Sequence, residues 1–465
     1  MKRIGLLVLL FLCRGNLLAQ DIQGTWNGLL EIQGMSLRLV LNVAPGEDGY
    51  VSTLDSPDQG TKGILVDRTL FENDILHFEV ERLKLSYSGN LSSDGVIRGT
   101  FSQMGSSFPL NLQREAIEKV VKNRPQEPEL PLPYYTEELR FPNNTAGIEL
   151  AGTLSLPDTT GVYPAVVLIS GSGPQNRDEE LLGHKPFLVL SDYLVRQGIG
   201  VLRFDDRGTA QSTGDFASAT SRDFAADVAS AIEYLTQRRE IDSNQIGLIG
   251  HSEGGLIAPM VAASNPETAF IIMLAGPGVS GYDIILEQTR LINDADGVDP
   301  LVSAKNREVL KGTLNALMVN EDLEIARSEA TSFLQSTLEN DTLLLPEGMP
   351  NEEFINNQLN VLITPWMRYF LIYDPAESLR KVTCPVLAIN GEKDLQVPPG
   401  QNLPAIEMYL KEAGNTRFQI AELPNLNHLF QESTTGSPTE YAEIEQTFSP
   451  AAMDLISDWI LAQVN

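Results

Sequence analysis

Two cysteines in a chain of 465 residues are too few for a disulfide-stapled fold or a cysteine-rich zinc module. Histidine is also sparse, with four in all, so any chemistry that needs an imidazole has few candidates. Positive charge runs short. The 33 Lys+Arg stand against 62 Asp+Glu, and a formal charge of −29 argues against nucleic-acid binding, which needs cations clustered on the phosphates. The same imbalance disfavours anionic membrane surfaces and polyanionic substrates. The apolar run at residues 4–12 is too short to span a bilayer. An apolar share of 42% is that of an ordinary folded chain, and the length predicts more than one folding unit.

The chain opens with an address. Lys2 and Arg3 precede the apolar run, and Leu17-Leu18-Ala19 follows it, the order of a secretory signal cleaved near Ala19 or Gln20. Residues 1–20 are therefore expected to direct export, to the periplasm or beyond. Cleavage removes Lys2, Arg3 and Arg14, takes the charge from −29 to about −32, and leaves Cys384 without an internal partner.

Residues 21–114 read as a small all-β domain. Leu37, Leu39, Leu41 and Val43 share one face of an alternating run, and Leu76, Phe78 and Val80 repeat the period of two. Turn signals recur at Gly46-Glu47-Asp48-Gly49, Ser88-Gly89-Asn90 and Asp94-Gly95. Roughly eight strands in an up-and-down meander fit a small barrel with a filled core. His77 reads as a surface strand residue. Residues 115–133 become charged and then Pro-rich, the composition of a semi-rigid linker.

From 134 to 465 strand and helix alternate. Residues 165–170, 200–204, 245–250, 270–275 and 385–390 are apolar runs of the kind buried on both faces of a parallel sheet, with helical periodicity at 187–197 and 222–238. The alternation predicts an α/β fold, with active-site residues beyond the carboxyl ends of the strands.

One such end reads Gly250-His251-Ser252-Glu253-Gly254, a G-x-S-x-G between a strand and a helix. A serine on so tight a turn is strained, and side chains two positions either side would collide, which is what the glycines avoid. A serine nucleophile needs a base, and the base an orienting carboxylate, in the order Ser, acid, His on this type of sheet. His428 is the histidine of the C-terminal part; His251 should point away, being adjacent to the serine. Asp394, in the loop after the 385–390 strand, is the expected acid, with Glu392 ranked below it. The bland readings, a solvated loop histidine and a turn-forming aspartate, are each plausible singly but poor together. Two backbone amides should hold the oxyanion: Glu253, after the nucleophile, and Ser172 in Ser170-Gly171-Ser172-Gly173-Pro174, with Gly171 next in rank.

Together with His184-Lys185-Pro186-Phe187 and Arg203-Phe204-Asp205-Asp206-Arg207-Gly208, these residues resemble the α/β-hydrolase superfamily over 134–465, and within it exported bacterial carboxylesterases that carry a β domain ahead of the hydrolase. Relatives are often labelled serine aminopeptidases or dienelactone hydrolases. Ala210 stands where the family usually has glycine. The resemblance implies an α/β-hydrolase sheet with a helical cap, placed here at about 279–380, where helical patterns run over 284–291, 307–338 and 354–373. Trp366 and Phe370 are candidate pocket residues, with Gly171 and His184 nearer the oxyanion loop, although a structural hydrogen bond is the plainer role for His184. Asp205 and Asp206 are expected to organise a turn with Arg207. Asp294, Asp296 and Asp299 lack the glycine and glutamate spacing of a calcium loop, so no metal and no cofactor are expected. The leading expectation is an esterase acting on a small-molecule ester through an acyl-enzyme and losing activity in acid. The alternatives are a serine peptidase or amidase on short peptides, and a non-catalytic binding protein on the same scaffold.

Overall fold

A computed structural model describes residues 22–32, 35–46, 49–59, 61–103, 106–118, 123–340 and 350–464. The export signal read at 1–20 lies outside the described residues. The chain divides into two compact units, Met1–Val120 and Val121–Asn465.

The first unit is one antiparallel sheet of nine strands: β1 (Gly24–Ile32), β2 (Met35–Gly46), β3 (Gly49–Ser56), β4 (Thr61–Leu65), β5 (Arg68–Glu72), β6 (Ile75–Val80), β7 (Leu85–Leu91), β8 (Ile97–Gln103) and β9 (Ser106–Gln113). Their spatial order is β4-β3-β2-β1-β9-β8-β7-β6-β5. The alternation puts Leu39, Leu41, Val43, Leu76, Phe78 and Val80 on the inner face, as expected. The sheet curls around a core containing Trp26, Phe78, Tyr87 and Phe101 but is not a closed barrel, since β4 and β5 end it as two unladdered edges. The buried polar tips are satisfied: Trp26 Nε1 donates to the Ile22 carbonyl at 2.8 Å and the Tyr87 hydroxyl to the Leu110 carbonyl at 3.1 Å. His77 stays half-exposed against Glu79 at 2.7 Å.

The second unit holds an eight-stranded sheet of β10 (Tyr135–Asn143), β11 (Ile148–Leu156), β12 (Tyr163–Ile169), β13 (Gly200–Phe204), β14 (Ile241–His251), β15 (Phe270–Leu274), β16 (Val386–Gly391) and β17 (Phe418–Leu423), in the order β10-β11-β13-β12-β14-β15-β16-β17. β11 runs antiparallel to both its neighbours; the remaining pairs are parallel. Helices α1 (Pro186–Arg196), α2 (Ser221–Thr236) and α3 (Glu253–Ala262) follow successive strands, and α4 (Gly281–Ala295), α5 (Pro300–Val319), α6 (Leu323–Asn340), α7 (Asn351–Leu362), α8 (Pro365–Ile372) and α9 (Ala376–Leu379) form the insertion between β15 and β16. Helices α10 (Pro399–Glu412) and α11 (Pro450–Val464) complete the unit. Along β12, Val167 and Ile169 pack with α2, α3 and α10, while Val166 and Leu168 pack with α1 and α11. Burial on both faces explains why these strands read as unbroken apolar runs.

Three sequence readings need adjusting. The 307–338 helix is two, broken at Asn320-Glu321-Asp322, where Asp322 accepts the Glu324 amide at 2.9 Å and caps the second. The 354–373 helix likewise breaks before Pro365, with Thr364 capping the Met367 amide at 3.0 Å. The linker is not a spacer throughout. Arg124 donates to the carbonyls of Ile444 (2.7 Å), Leu182 and Ala442 (both 3.2 Å), and Gln126 bonds both the Phe448 carbonyl and the Thr447 amide, each at 2.6 Å. Loop carbonyls at 182 and 442–448 need donors, and this segment supplies them.

The insertion has a core of its own, in which Leu314, Leu317, Leu334, Leu338, Leu359 and Leu371 meet. A smaller cluster of Leu256, Ile284, Phe370 and Val397 joins it to α3 and to the loop after β16.

Candidate active site

β14 ends at His251 and α3 begins at Glu253, leaving Ser252 between them at φ 53°, ψ −118°. Such a backbone costs a residue with a Cβ about 1–3 kcal/mol and persists only where packing dictates it. Here packing does: a Cβ on Gly250 would lie 1.9 Å from the Gly254 carbonyl oxygen, and one on Gly254 would lie 2.1 Å from the Ile169 carbonyl oxygen. The Ser252 amide donates to the Leu274 carbonyl at 2.8 Å, anchoring the turn to β15.

Asp394 and His428 come together from loops after β16 and β17, with His428 Nδ1 2.9 Å from Asp394 Oδ2 and both side chains buried. Asp394 is held from three further sides, Oδ1 by the amides of Gln396 (2.9 Å) and Val397 (2.8 Å), Oδ2 by Asn390 Nδ2 (3.3 Å). Glu392, the lower-ranked acid, instead accepts the Asn425 amide at 2.8 Å. The His428 loop is pinned by buried Asn427, whose Oδ1 accepts the Leu429 and Gln431 amides at 3.0 and 2.9 Å.

Ser252 and His428 border one cavity of about 350 Å³. Gly171, Ser172 and Glu253 border it too, as do Trp366 and Phe370, whose rings stack at 5.3 Å and 8°. His184 does not line it. That ring is buried between the Thr447 hydroxyl (3.0 Å) and the Tyr441 carbonyl (2.9 Å), so the structural role prevails. The cavity wall from the insertion is apolar, with Ile284, Leu362 and Met367 beside the two rings, while Gln175, Gln288, Thr289 and Gln396 supply neutral polar groups. Among the described lining residues there is no lysine or arginine.

Three buried carboxyls surround the 170–174 loop. Glu253 Oε1 accepts from the Ser221 hydroxyl (2.6 Å) and from Trp366 Nε1 (2.7 Å), the carboxyl also bonds the Ser172 hydroxyl, and burial pushes its pKa up. Asp206 accepts the Ser170 hydroxyl (2.7 Å) and the Gln175 amide (2.9 Å), and burial pushes it up to about 8. Glu179 Oε1 accepts the Gly171 amide at 2.7 Å, which commits that donor and favours Ser172 as the loop's free amide. The turn expected of Asp205, Asp206 and Arg207 is formed, the Thr209 amide donating to the Asp206 carbonyl at 3.0 Å and the Gln211 amide to Asp205 Oδ2 at 3.2 Å, while the charged side chains pair elsewhere, Asp205 with Arg177 (2.8 Å) and Arg207 with Asp227 (2.7 Å).

His251 and Glu179 are the residues that sequence reasoning missed. The His251 ring bridges Glu179 Oε1 (2.9 Å) and the His428 carbonyl (3.0 Å). Burial opposes its charged form, but Glu179 outweighs burial and the pKa is raised. Adjacency to Ser252 suggests a ring that points away, whereas His251 borders the same cavity with its ring 4.9 Å from that of His428, and Glu179 lies too far upstream for spacing to connect the two. Of the three aspartates that hint at calcium, Asp294 pairs with Arg290 (2.8 Å), Asp296 accepts from Ser437 (2.6 Å) and Asp299 caps α5 through the Leu301 amide (2.8 Å).

Ser252 after β14, Asp394 after β16 and His428 after β17 follow the chain order of the α/β-hydrolases. The protein is a hydrolase of that superfamily. It belongs, more narrowly, to the X-Pro dipeptidyl-peptidase (S15) family, which it matches over residues 146–407, a span that includes Ser252 and Asp394. Among characterised proteins it is similar to esterase EstD of Thermotoga maritima, 26% identical over 338 residues that cover 72% of this chain and 71% of the other. Solved structures like it include the Pyrococcus furiosus esterase Pf2001 (14% identity, 75% of this chain and 100% of that one, TM-score 0.43) and the α/β hydrolase GrgF from Penicillium sp. sh18 (17%, 63% and 91%, TM-score 0.42).

Proposed function

We propose that this hydrolase is an exported serine carboxylesterase. Ser252 Oγ attacks the ester carbonyl while His428 takes its proton, and the tetrahedral oxyanion sits against the amides of Ser172 and Glu253. The Glu253 amide is in the first turn of α3, where the helix ladder supplies no acceptor. His428 then protonates the leaving alcohol, and water releases the acid by the same route. Asp394 holds the Nδ1 proton and so keeps Nε2 free to accept. The observation that carries this reading is the 2.9 Å contact of His428 Nδ1 with Asp394, on the rim of the cavity that Ser252 enters from its strained turn.

Membership of a peptidase family raises the alternative of peptide substrates. A dipeptidyl site needs a carboxylate for the peptide's ammonium group. Of the two that line the cavity, Glu253 is occupied by Ser221, Ser172 and Trp366, and the unpartnered oxygen of Glu179 is closed off from solvent. The apolar wall and the neutral polar groups suit an uncharged acyl ester. Assaying 4-nitrophenyl esters from acetate to decanoate against the matching X-Pro anilides decides the matter. Ester turnover abolished by Ser252→Ala is the expected result; anilide turnover exceeding ester turnover would replace this reading with the peptidase.

A further inference from the structure

The histidine before the nucleophile has no part in the reaction just described, yet both its ring nitrogens are engaged. His251 Nε2 faces the His428 carbonyl at 3.0 Å, and a carbonyl oxygen only accepts, so Nε2 carries a proton. Nδ1 faces Glu179 Oε1 at 2.9 Å, and the same oxygen takes the Gly171 amide at 2.7 Å. Three hydrogen bonds therefore run from the oxyanion loop through Glu179 and His251 to the backbone of the proposed base, without passing through Asp394. Glu179 sits at φ 51°, and its other carboxylate oxygen is buried without a partner. A strained backbone under a half-satisfied buried carboxylate lowers stability, and such features cluster where function depends on them.

From this geometry we infer that Glu179 and His251 are a second carboxylate–imidazole pair, which holds the oxyanion loop and the His428 loop in register around Ser252. Neither residue touches the reacting carbonyl; both are positioning residues. The inference rests on the serine-esterase reading above. Its physical basis is that the donors and the base must meet one tetrahedral centre together, and a shift of about 1 Å in such an arrangement can cost on the order of 100-fold in rate.

Glu179→Gln is the discriminating variant. It keeps the side-chain volume but removes the charge that favours a proton on Nδ1. With the Nε2 proton committed to His428, a neutral His251 presents a bare Nδ1, and no single Gln atom at the Oε1 position can serve both that nitrogen and the Gly171 amide. The test measures kcat, KM and Tm for Glu179→Gln and His251→Asn on the best 4-nitrophenyl ester, with Ser252→Ala as control. The expected result is a loss of at least tenfold in kcat, with KM within threefold of the parent and Tm within a few degrees. Glu179→Gln decides alone should His251→Asn not fold. A kcat within twofold of the parent, whatever the change in Tm, overturns the inference and leaves a structural pair. A parent without Ser252-dependent turnover overturns the esterase reading itself and this inference with it.

Discussion

Asp394→Asn is the sharpest test of the proposed chemistry, because the structure dictates which way the new amide must turn. Asp394 Oδ1 receives the Gln396 and Val397 amides, so an asparagine has to keep its oxygen there or leave two buried donors unpaired. Its NH2 then faces His428 Nδ1 where Oδ2 stood, 2.9 Å away. A donor in that place forces Nδ1 to accept, moves the imidazole proton to Nε2, and leaves no lone pair to take the Ser252 proton. The same exchange in the serine-protease triad lowers kcat about 10⁴-fold, roughly 5 kcal/mol of transition-state stabilisation. The new NH2 also meets Asn390 Nδ2, 3.3 Å from Oδ2 in the parent, so a modest fall in stability accompanies the kinetic loss. Stopped-flow acylation with 4-nitrophenyl butyrate, alongside a thermal melt, measures both. A loss in kcat below about tenfold in a folded variant would show that Asp394 does not set the tautomer of the base, and the mechanism would need another acid.

Three further outcomes are expected. Asp206 keeps a proton up to about pH 8 when folded but ionises near pH 4 when unfolded, so its contribution to stability is full below about pH 4 and lost as pH climbs to 8, at no more than about 1.4 kcal/mol per unit. Asp206→Asn can still accept from the Gln175 amide and, with its NH2 toward Ser170, lets that hydroxyl accept instead of donate, so its Tm relative to the parent should rise between pH 5 and 8; a constant difference refutes this. Phe370→Ala opens the apolar wall of the cavity and should move the preferred acyl chain to greater length, at a stability cost of about 3–5 kcal/mol, and an unchanged chain-length profile of kcat/KM would take Phe370 out of the acyl site. Gly254→Ala drives a methyl group into the Ile169 carbonyl and should destabilise by about 1–3 kcal/mol in a urea titration, with an unchanged midpoint counting against the steric account of the elbow.

The parts of the fold and site that could be read from sequence are those encoded locally. Buried strands announce themselves as apolar runs, the elbow is contained in five consecutive residues, and with so few histidines chain order leaves His428 as the candidate that meets Asp394. What escaped reading depends on partners distant in sequence. His251 and Glu179 are joined across the sheet's carboxyl edge, Arg124 and Gln126 reach the Ile444 and Phe448 carbonyls more than 300 residues on, and His184 is drawn from the substrate side into a hydrogen-bond network with Tyr441 and Thr447. None of these carries a periodicity or a spacing. Nor does the open edge of the β domain: β5 alternates like its neighbours, β4 is exposed at all but Ile64, and only the pairing shows that the two end the sheet.

The insertion between β15 and β16 owns its leucine core and packs against α3 through Ile284 and Phe370. Its helices also supply most of the apolar wall of the cavity, while every group assigned to bond making lies just beyond the carboxyl ends of the sheet's strands, outside the insertion. Substrate choice and catalytic competence are thus written in separate stretches of the gene. Drift in residues 281–372 can remodel what is admitted while the chemistry stays intact, so related chains should differ in what they cleave sooner than in how they cleave it.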